Sequence, residues 1–128
     1  MNYEEFKQAF YDEFRQALAL SEKAWREGLL SLEEDILEKD KTKCEQRDVL
    51  FYGLRFAIDG TDKEIIEKIL SNLVNQEKDE YLHLLKTIQK EAVLSILSGY
   101  SPRILFAVLN SYTDIPLNDP VMKDIFDN

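Results

Sequence analysis

The chain has 128 residues, of which 45% are hydrophobic and 32% are charged, a balance typical of one globular domain. Its formal net charge of −9 disfavours binding to nucleic acid or to an anionic membrane, because both require clustered Lys and Arg. The chain has a single cysteine, no features of a signal peptide and no run of roughly 20 apolar residues, so we expect a cytoplasmic protein with neither an intramolecular disulfide nor a membrane span.

The first 38 residues have the periodicity of a helix. Apolar side chains recur every three or four positions, at Phe6, Phe10, Phe14, Leu18, Trp25, Leu29, Leu32 and Ile36. This spacing places them on one helical face, which we name the Trp25 stripe and expect to face the core. Gly28 is the weak helix former within it, so the segment is either one long helix or two helices in line with a bend near Gly28.

The next segments alternate between polar and apolar composition. Residues 39–48 are polar and predict a loop or a frayed helix end. Residues 49–58 are strongly apolar, and although their composition also suits a strand, their helical context favours a short buried helix. Gly60 is suited to the positive φ that ends a helix, and Thr61 with Glu64 predicts a capping box that begins the next one.

Apolar residues resume the helical period from residue 65 to residue 96, interrupted by the polar residues 76–80. The pattern leaves open whether residues 62–98 form one helix or two with a break at 76–80.

Gly99 predicts the end of that region, and Ser101 followed by Pro102 predicts the N-cap and first residue of a helix running to about Tyr112. Asp119-Pro120 predicts a last short helix. The sequence therefore predicts an all-α, single-domain bundle of four to six helices with one long N-terminal helix, packed around the Trp25 stripe.

The residue types that carry chemistry are better explained by structural duties. His83, the one histidine, has no second His or nearby Cys with which to bind zinc, and Cys44 lies in a charged stretch typical of a plain surface thiol. A solvated helix face or turn and cap duties account for the clustered carboxylates Glu33, Glu34, Asp35, Glu38, Asp40, Asp59, Asp62 and Glu64. We therefore expect no metal, no cofactor and no enzymatic activity.

Arg26 and Glu33 are seven residues apart, which is two turns of a continuous helix. Their side chains would then point within about 20° of one another, along one ridge at the edge of the Trp25 stripe. Such a pair of opposite charges suits recognition of a charged partner, and an ordinary solvated helix flank is the alternative.

Two sequence blocks, the first made of two stretches, resemble the flagellar stator protein MotA. SEKAWREGLLSLEEDIL (21–37) and LRFAIDGTDKEIIEKIL (54–70) are similar to its cytoplasmic loop, in which R-x-x-G-L-x-x-L-E is followed by G-L-x-x-x-x-D-G-T-D and an amphipathic helix. KEAVLSILSGYSPRILFAVLNSY (90–112) is similar to its C-terminal cytoplasmic tail. The two blocks occur in the family's order, without the membrane helices that precede and separate them in the family.

The resemblance divides the chain into an N-terminal helix extension (1–20), a part like the stator loop (21–75), a part like the stator tail (81–112) and an acidic tail (113–128). It implies contact with the rotor protein FliG or a stator component at the cytoplasmic face of the flagellar motor, without ion conduction. Glu33 matches the family Glu of this contact, whereas Trp25 occupies the family Arg position and Arg26 is adjacent. The expected partner-binding residues are therefore Trp25, Arg26 and Glu33, and a stand-alone helical scaffold or homodimer is the alternative.

Overall fold

The computed structural model describes residues 1–41 and 48–127, and every regular element within these residues is helical. In chain order the elements are α1 (Tyr3–Glu27), a 3₁₀ helix (Leu29–Leu32), α2 (Glu33–Lys41), α3 (Val49–Ile58), α4 (Lys63–Asn75), α5 (Glu80–Leu97), α6 (Pro102–Asn110) and α7 (Pro120–Asp127). The predicted all-α class and long N-terminal helix are confirmed. The described residues form seven α-helices, one more than the upper end of the prediction.

α1 ends at Glu27 because the next residue, Gly28, has a φ of +92° and leaves the helical conformation. Beyond it the chain folds back, since Lys23 on α1 forms ion pairs with Glu34 and Asp35 on α2. In a straight helix those carboxylates would lie about 16–18 Å further along the axis, beyond the reach of a lysine side chain. The break predicted near Gly28 is therefore confirmed, whereas the single helix and the in-line course predicted for residues 1–38 are wrong.

The core is lined along α1 by an aromatic row. Phe6, Phe10 and Phe14 are fully buried, and the ring of Phe14 lies 4.8 Å edge-on from the ring of Phe106 on α6. Trp25, which the sequence placed on the same buried face, is 57% exposed. The row and Trp25 are on one helix, but the core ends before Trp25 because the chain turns away at Gly28, so the predicted Trp25 stripe is wrong at this residue.

Helix α5 is central, packing against α1, α3, α4 and α6. The predicted buried helix at residues 49–58 is confirmed as α3, whose N-cap Asp48 accepts a hydrogen bond from the backbone N–H of Phe51 at 3.2 Å. Gly53 lies buried in the middle of α3, at its crossing with α4 and α5.

The turn between α3 and α4 differs from the predicted capping box. The N–H of Thr61 donates back to the carbonyl of Phe56 at 3.1 Å, and Gly60 has a φ of +82°, so Thr61 completes the C-terminal turn of α3. The N-cap of α4 is therefore Asp62, which makes no side-chain capping hydrogen bond. The positive φ predicted at Gly60 is confirmed, whereas the capping role predicted for Thr61 is wrong.

The remaining helix boundaries follow local caps. Residues 62–98 form two helices, because Asp79 begins α5 by accepting a hydrogen bond from the N–H of Leu82 at 3.0 Å. Ser101 caps α6 as predicted, and α6 ends at Asn110. The polar segment at 39–48 begins within α2, while its residues 42–47, including Cys44, lie outside the described residues.

The acidic segment after residue 112 is part of the core. Ile115, Met122 and Ile125 are buried in it. The hydroxyl of Tyr11 donates to Asp119 at 2.8 Å, which ties the N-cap of α7 to α1. Within the described residues, no helix combines the length and apolar content that crossing a bilayer requires.

Candidate protein-binding surface

The end of α1, the 3₁₀ helix and the start of α2 form a corner around Gly28. We define the Gly28 corner as Trp25, Arg26, Leu30, Glu33 and Leu37, all of which are exposed. Trp25 is 57% exposed and Leu30 is 67% exposed, so large apolar side chains and charges of both signs share this surface.

The turn is fixed by backbone hydrogen bonds on both sides of Gly28. Its N–H donates to the carbonyl of Ala24 at 2.8 Å, and its own carbonyl accepts from the N–H of Ser31 at 3.1 Å and from the Ser31 hydroxyl at 2.6 Å. A Cβ at Gly28 would meet no atom within 4 Å, so the requirement for glycine comes from the positive φ and not from crowding.

The corner is anchored to the domain from its inner side and braced by an ion-pair group. Leu32 and Ile36 are buried in the core, while Lys23 holds Glu34 and Asp35 across the corner. The hydrogen bonds from Lys23 to these two carboxylates raise the pKa of the Lys23 ammonium, so the brace is charged at neutral pH. Glu34 and Asp35, which belong to the predicted solvated acidic face, therefore also hold the corner together through Lys23.

The structure brings the three predicted partner-binding residues to one corner, but not along one ridge. Arg26 lies near the end of α1, and Glu33 is the first residue of α2. Because the turn at Gly28 separates the two helices, the two-turn spacing no longer describes how these side chains are oriented. The single-helix ridge is wrong, although Trp25, Arg26 and Glu33 are all exposed as partner binding requires.

Two depressions flank the corner. One, of about 220 Å³, lies between Trp25 and Tyr100 and is floored by Ser21, which is buried and whose hydroxyl has no hydrogen-bond partner among the described residues. The other, of about 400 Å³, is lined by Leu30, Glu33 and Leu37. Sequence reasoning missed the leucines and Tyr100; the two leucines are apolar positions seven residues apart and off the main stripe.

This arrangement has the composition of a binding surface. Exposed aromatic and aliphatic side chains with a charged rim are typical of protein interfaces, in which Trp and Arg often contribute most of the binding energy. Within residues 1–41 and 48–127, no group of three or more His, Cys, Asp or Glu side chains is placed to hold a metal ion. His83 is half-buried on α5, away from this corner in sequence.

Comparison with protein families, curated proteins and solved structures finds no match to this chain.

Proposed function

We propose that the protein is a non-catalytic protein-binding module that uses the Gly28 corner to contact the flagellar rotor or a stator assembly. The observation that carries this proposal is the exposure of Trp25, on a helix whose other large aromatic side chains are buried or half-buried. A large apolar ring held in water by a fixed turn gains most from being covered by a partner.

The rotor is favoured as the partner by the sequence around the corner. Trp25, Gly28 and Glu33 fall within the first MotA-like block, and Glu33 coincides with the family residue that engages the rotor protein. Arg26 and Glu33 are exposed near the ends of their helices, where exposed charges steer and select a partner more than they hold it. Trp25 would supply the apolar anchor of the contact.

The test is a titration of the full chain with purified rotor protein FliG. Trp25 is the only tryptophan of the chain, so with a tryptophan-free partner its fluorescence reports directly whether the corner becomes covered. We expect binding at about 0.01 M salt, where the Debye length is about 30 Å, and much weaker binding at about 1 M salt, where it is about 3 Å.

Substitutions then assign the contact. Trp25→Ala, followed by calorimetry, is expected to weaken binding at least about 30-fold, the loss typical of an interface anchor. Glu33→Lys and Arg26→Glu are expected to reduce the association rate, whereas Glu67→Lys, an exposed charge reversal on α4, leaves it nearly unchanged.

Absence of binding at low salt, or an equal loss in Glu67→Lys and Glu33→Lys, would refute the rotor contact. A tight oligomer that resists high salt in size-exclusion with light scattering, and that Trp25→Ala dissociates, would instead assign the corner to self-association.

A further inference from the structure

A second, separate groove lies between α6 and α7. It has a volume of about 470 Å³, shares no lining residue with the Gly28 corner, and is named here the α6–α7 groove. Its principal lining residues are Arg103, Phe106, Ala107, Leu117, Lys123 and Phe126.

The shape of the groove is set by two helical faces. On α6, Arg103, Phe106, Ala107 and Asn110 follow the i, i+3, i+4, i+7 spacing of one face, which extends about 10 Å along the helix. On α7, Lys123 and Phe126 lie three residues apart and provide the facing wall. Two neighbouring helices that present such faces form a channel into which a third helix can pack.

The apolar side chains that line the groove are exposed and already ordered. Phe126 is 52% exposed and Leu117 is 64% exposed, yet the ring of Phe126 lies 4.9 Å edge-on from Phe106, which itself packs on buried Phe14. Fixed anchors of this kind reduce the entropy lost on binding. Because the walls are so exposed, a small molecule here would stay largely in water, whereas small-molecule sites bury most of their ligand.

The charge of the groove is opposite to that of the molecule. Two cations, Arg103 and Lys123, line it without any carboxylate, although the chain carries a net charge of −9. In the part of the chain that the structure describes, neither cation forms an ion pair. The acidic residues Asp124 and Asp127 of α7 do not line the groove.

We propose that the α6–α7 groove binds an acidic amphipathic helix of a partner protein. The apolar face of that helix would cover Leu117 and Phe126, and its carboxylates would meet Arg103 and Lys123. This site goes beyond the corner contact described above and does not depend on it.

The experiment is a selection from a displayed library of random peptides about 16 residues long, enough for about four helical turns. The full chain is the target, and peptides that also bind a Phe126→Ser variant are removed first. If thermal melting shows that this variant is unfolded, Leu117→Ser, at a more exposed position, replaces it. We expect the enriched peptides to share apolar residues at i, i+3 or i+4, and i+7, flanked by Asp and Glu.

The strongest peptide is then synthesised and titrated by fluorescence anisotropy. The double variant Arg103→Glu/Lys123→Glu is expected to weaken its binding at least tenfold. The control Lys68→Glu/Lys78→Glu, which changes the net charge equally at exposed positions elsewhere, is expected to change it less than threefold.

No enrichment, enriched peptides without acidic residues, or equal losses in the two double variants would overturn the proposal. Release of the peptide by Trp25→Ala would overturn it too, by moving the contact to the Gly28 corner. Tighter binding of sodium dodecanoate than of any peptide would assign the groove to a small amphiphile, and a dimer dissociated by Phe126→Ser would assign it to a second copy of the chain.

Discussion

Gly53 is expected to be the position of α3 that least tolerates a side chain. A Cβ there would lie 2.8 Å from Leu70 Cδ1 and 2.8 Å from Val93 Cγ2, with Val93 Cγ1 at 3.0 Å. Non-bonded carbons normally approach to about 3.5–4.0 Å, so the Gly53→Ala methyl must displace both neighbours. Both are fully buried, and Val93 cannot easily rotate away because its side chain is branched at Cβ.

The magnitude follows from two opposing effects. Overpacking a filled core costs about 1–3 kcal/mol, and the contact of one methyl with two fixed neighbours favours the upper half of that range. Replacing a mid-helix glycine by alanine recovers about 1 kcal/mol of helix propensity. We therefore expect Gly53→Ala to lower the free energy of unfolding by about 1–2 kcal/mol, which corresponds to a fall in Tm of about 4–7 °C.

Urea denaturation at neutral pH measures this loss, and Asn72→Ala is the matched control. Asn72 is exposed in the middle of α4, so its substitution changes helix propensity without changing the core, and its free energy of unfolding should rise by about 0.5 kcal/mol. Gly53→Val should be less stable than Gly53→Ala. If Gly53→Ala proves as stable as the wild type or more stable, the close approach of α3 to α4 and α5 is refuted.

Three further substitutions test the turn and two buried polar groups by urea denaturation. Gly28→Ala should destabilise the domain by about 1–2 kcal/mol, because a positive φ strains any residue with a Cβ. Tyr11→Phe should cost about 1.5–3 kcal/mol at pH 7, since it removes a hydrogen bond to a charged carboxylate. Burial alone would raise the pKa of that carboxyl, Asp119, but the Tyr11 hydroxyl and backbone N–H groups hold it below its usual 3.8, so the difference should shrink as the pH falls below about 4. Burial raises the pKa of the Glu13 carboxyl, which destabilises the fold as the pH rises through that pKa, so Glu13→Gln should raise the urea midpoint at pH 7 and not at acid pH.

Each of these three predictions would be contradicted by a different result. Wild-type stability of Gly28→Ala would show that the corner does not require a positive φ at residue 28. If the stability lost in Tyr11→Phe stays constant down to about pH 2, the Tyr11 hydroxyl does not stabilise the ionised form of Asp119. A lower urea midpoint of Glu13→Gln at pH 7 would show that the hydrogen bond with Gln89 and the attraction to Lys39 together outweigh the burial of the carboxylate.

Local patterns were sufficient to predict most of the helices. The apolar run at 49–58 and the pair Ser101-Pro102 identify α3 and the start of α6, because periodicity and capping depend on residues close in sequence. The break between α4 and α5 had a recognisable signal as well, since Asp79 is a good N-cap residue within the polar stretch.

The errors have a common physical cause, which is that helix direction and turn geometry depend on tertiary contacts. The spacing that assigned Trp25 to the core assumes a straight helix through Gly28, and the turn there leaves Trp25 exposed. Thr61 has the sequence context of an N-cap, but its backbone N–H instead donates to the last turn of the preceding helix. The α6–α7 groove depends on how two helices pack, so no local pattern predicts that Arg103 and Lys123 line one surface.

The contact between Phe14 and Phe106 also has a consequence for synthesis of the chain. Roughly 90 residues separate the two rings, so at about 5–20 residues per second the ribosome needs about 5–18 s between making one and making the other. Throughout that interval α1 has been synthesised without α6, whose Phe106 ring packs against Phe14. The nascent chain thus presents these aromatic rings well before α6 is made, and a chaperone that holds this segment during translation would protect it from aggregation.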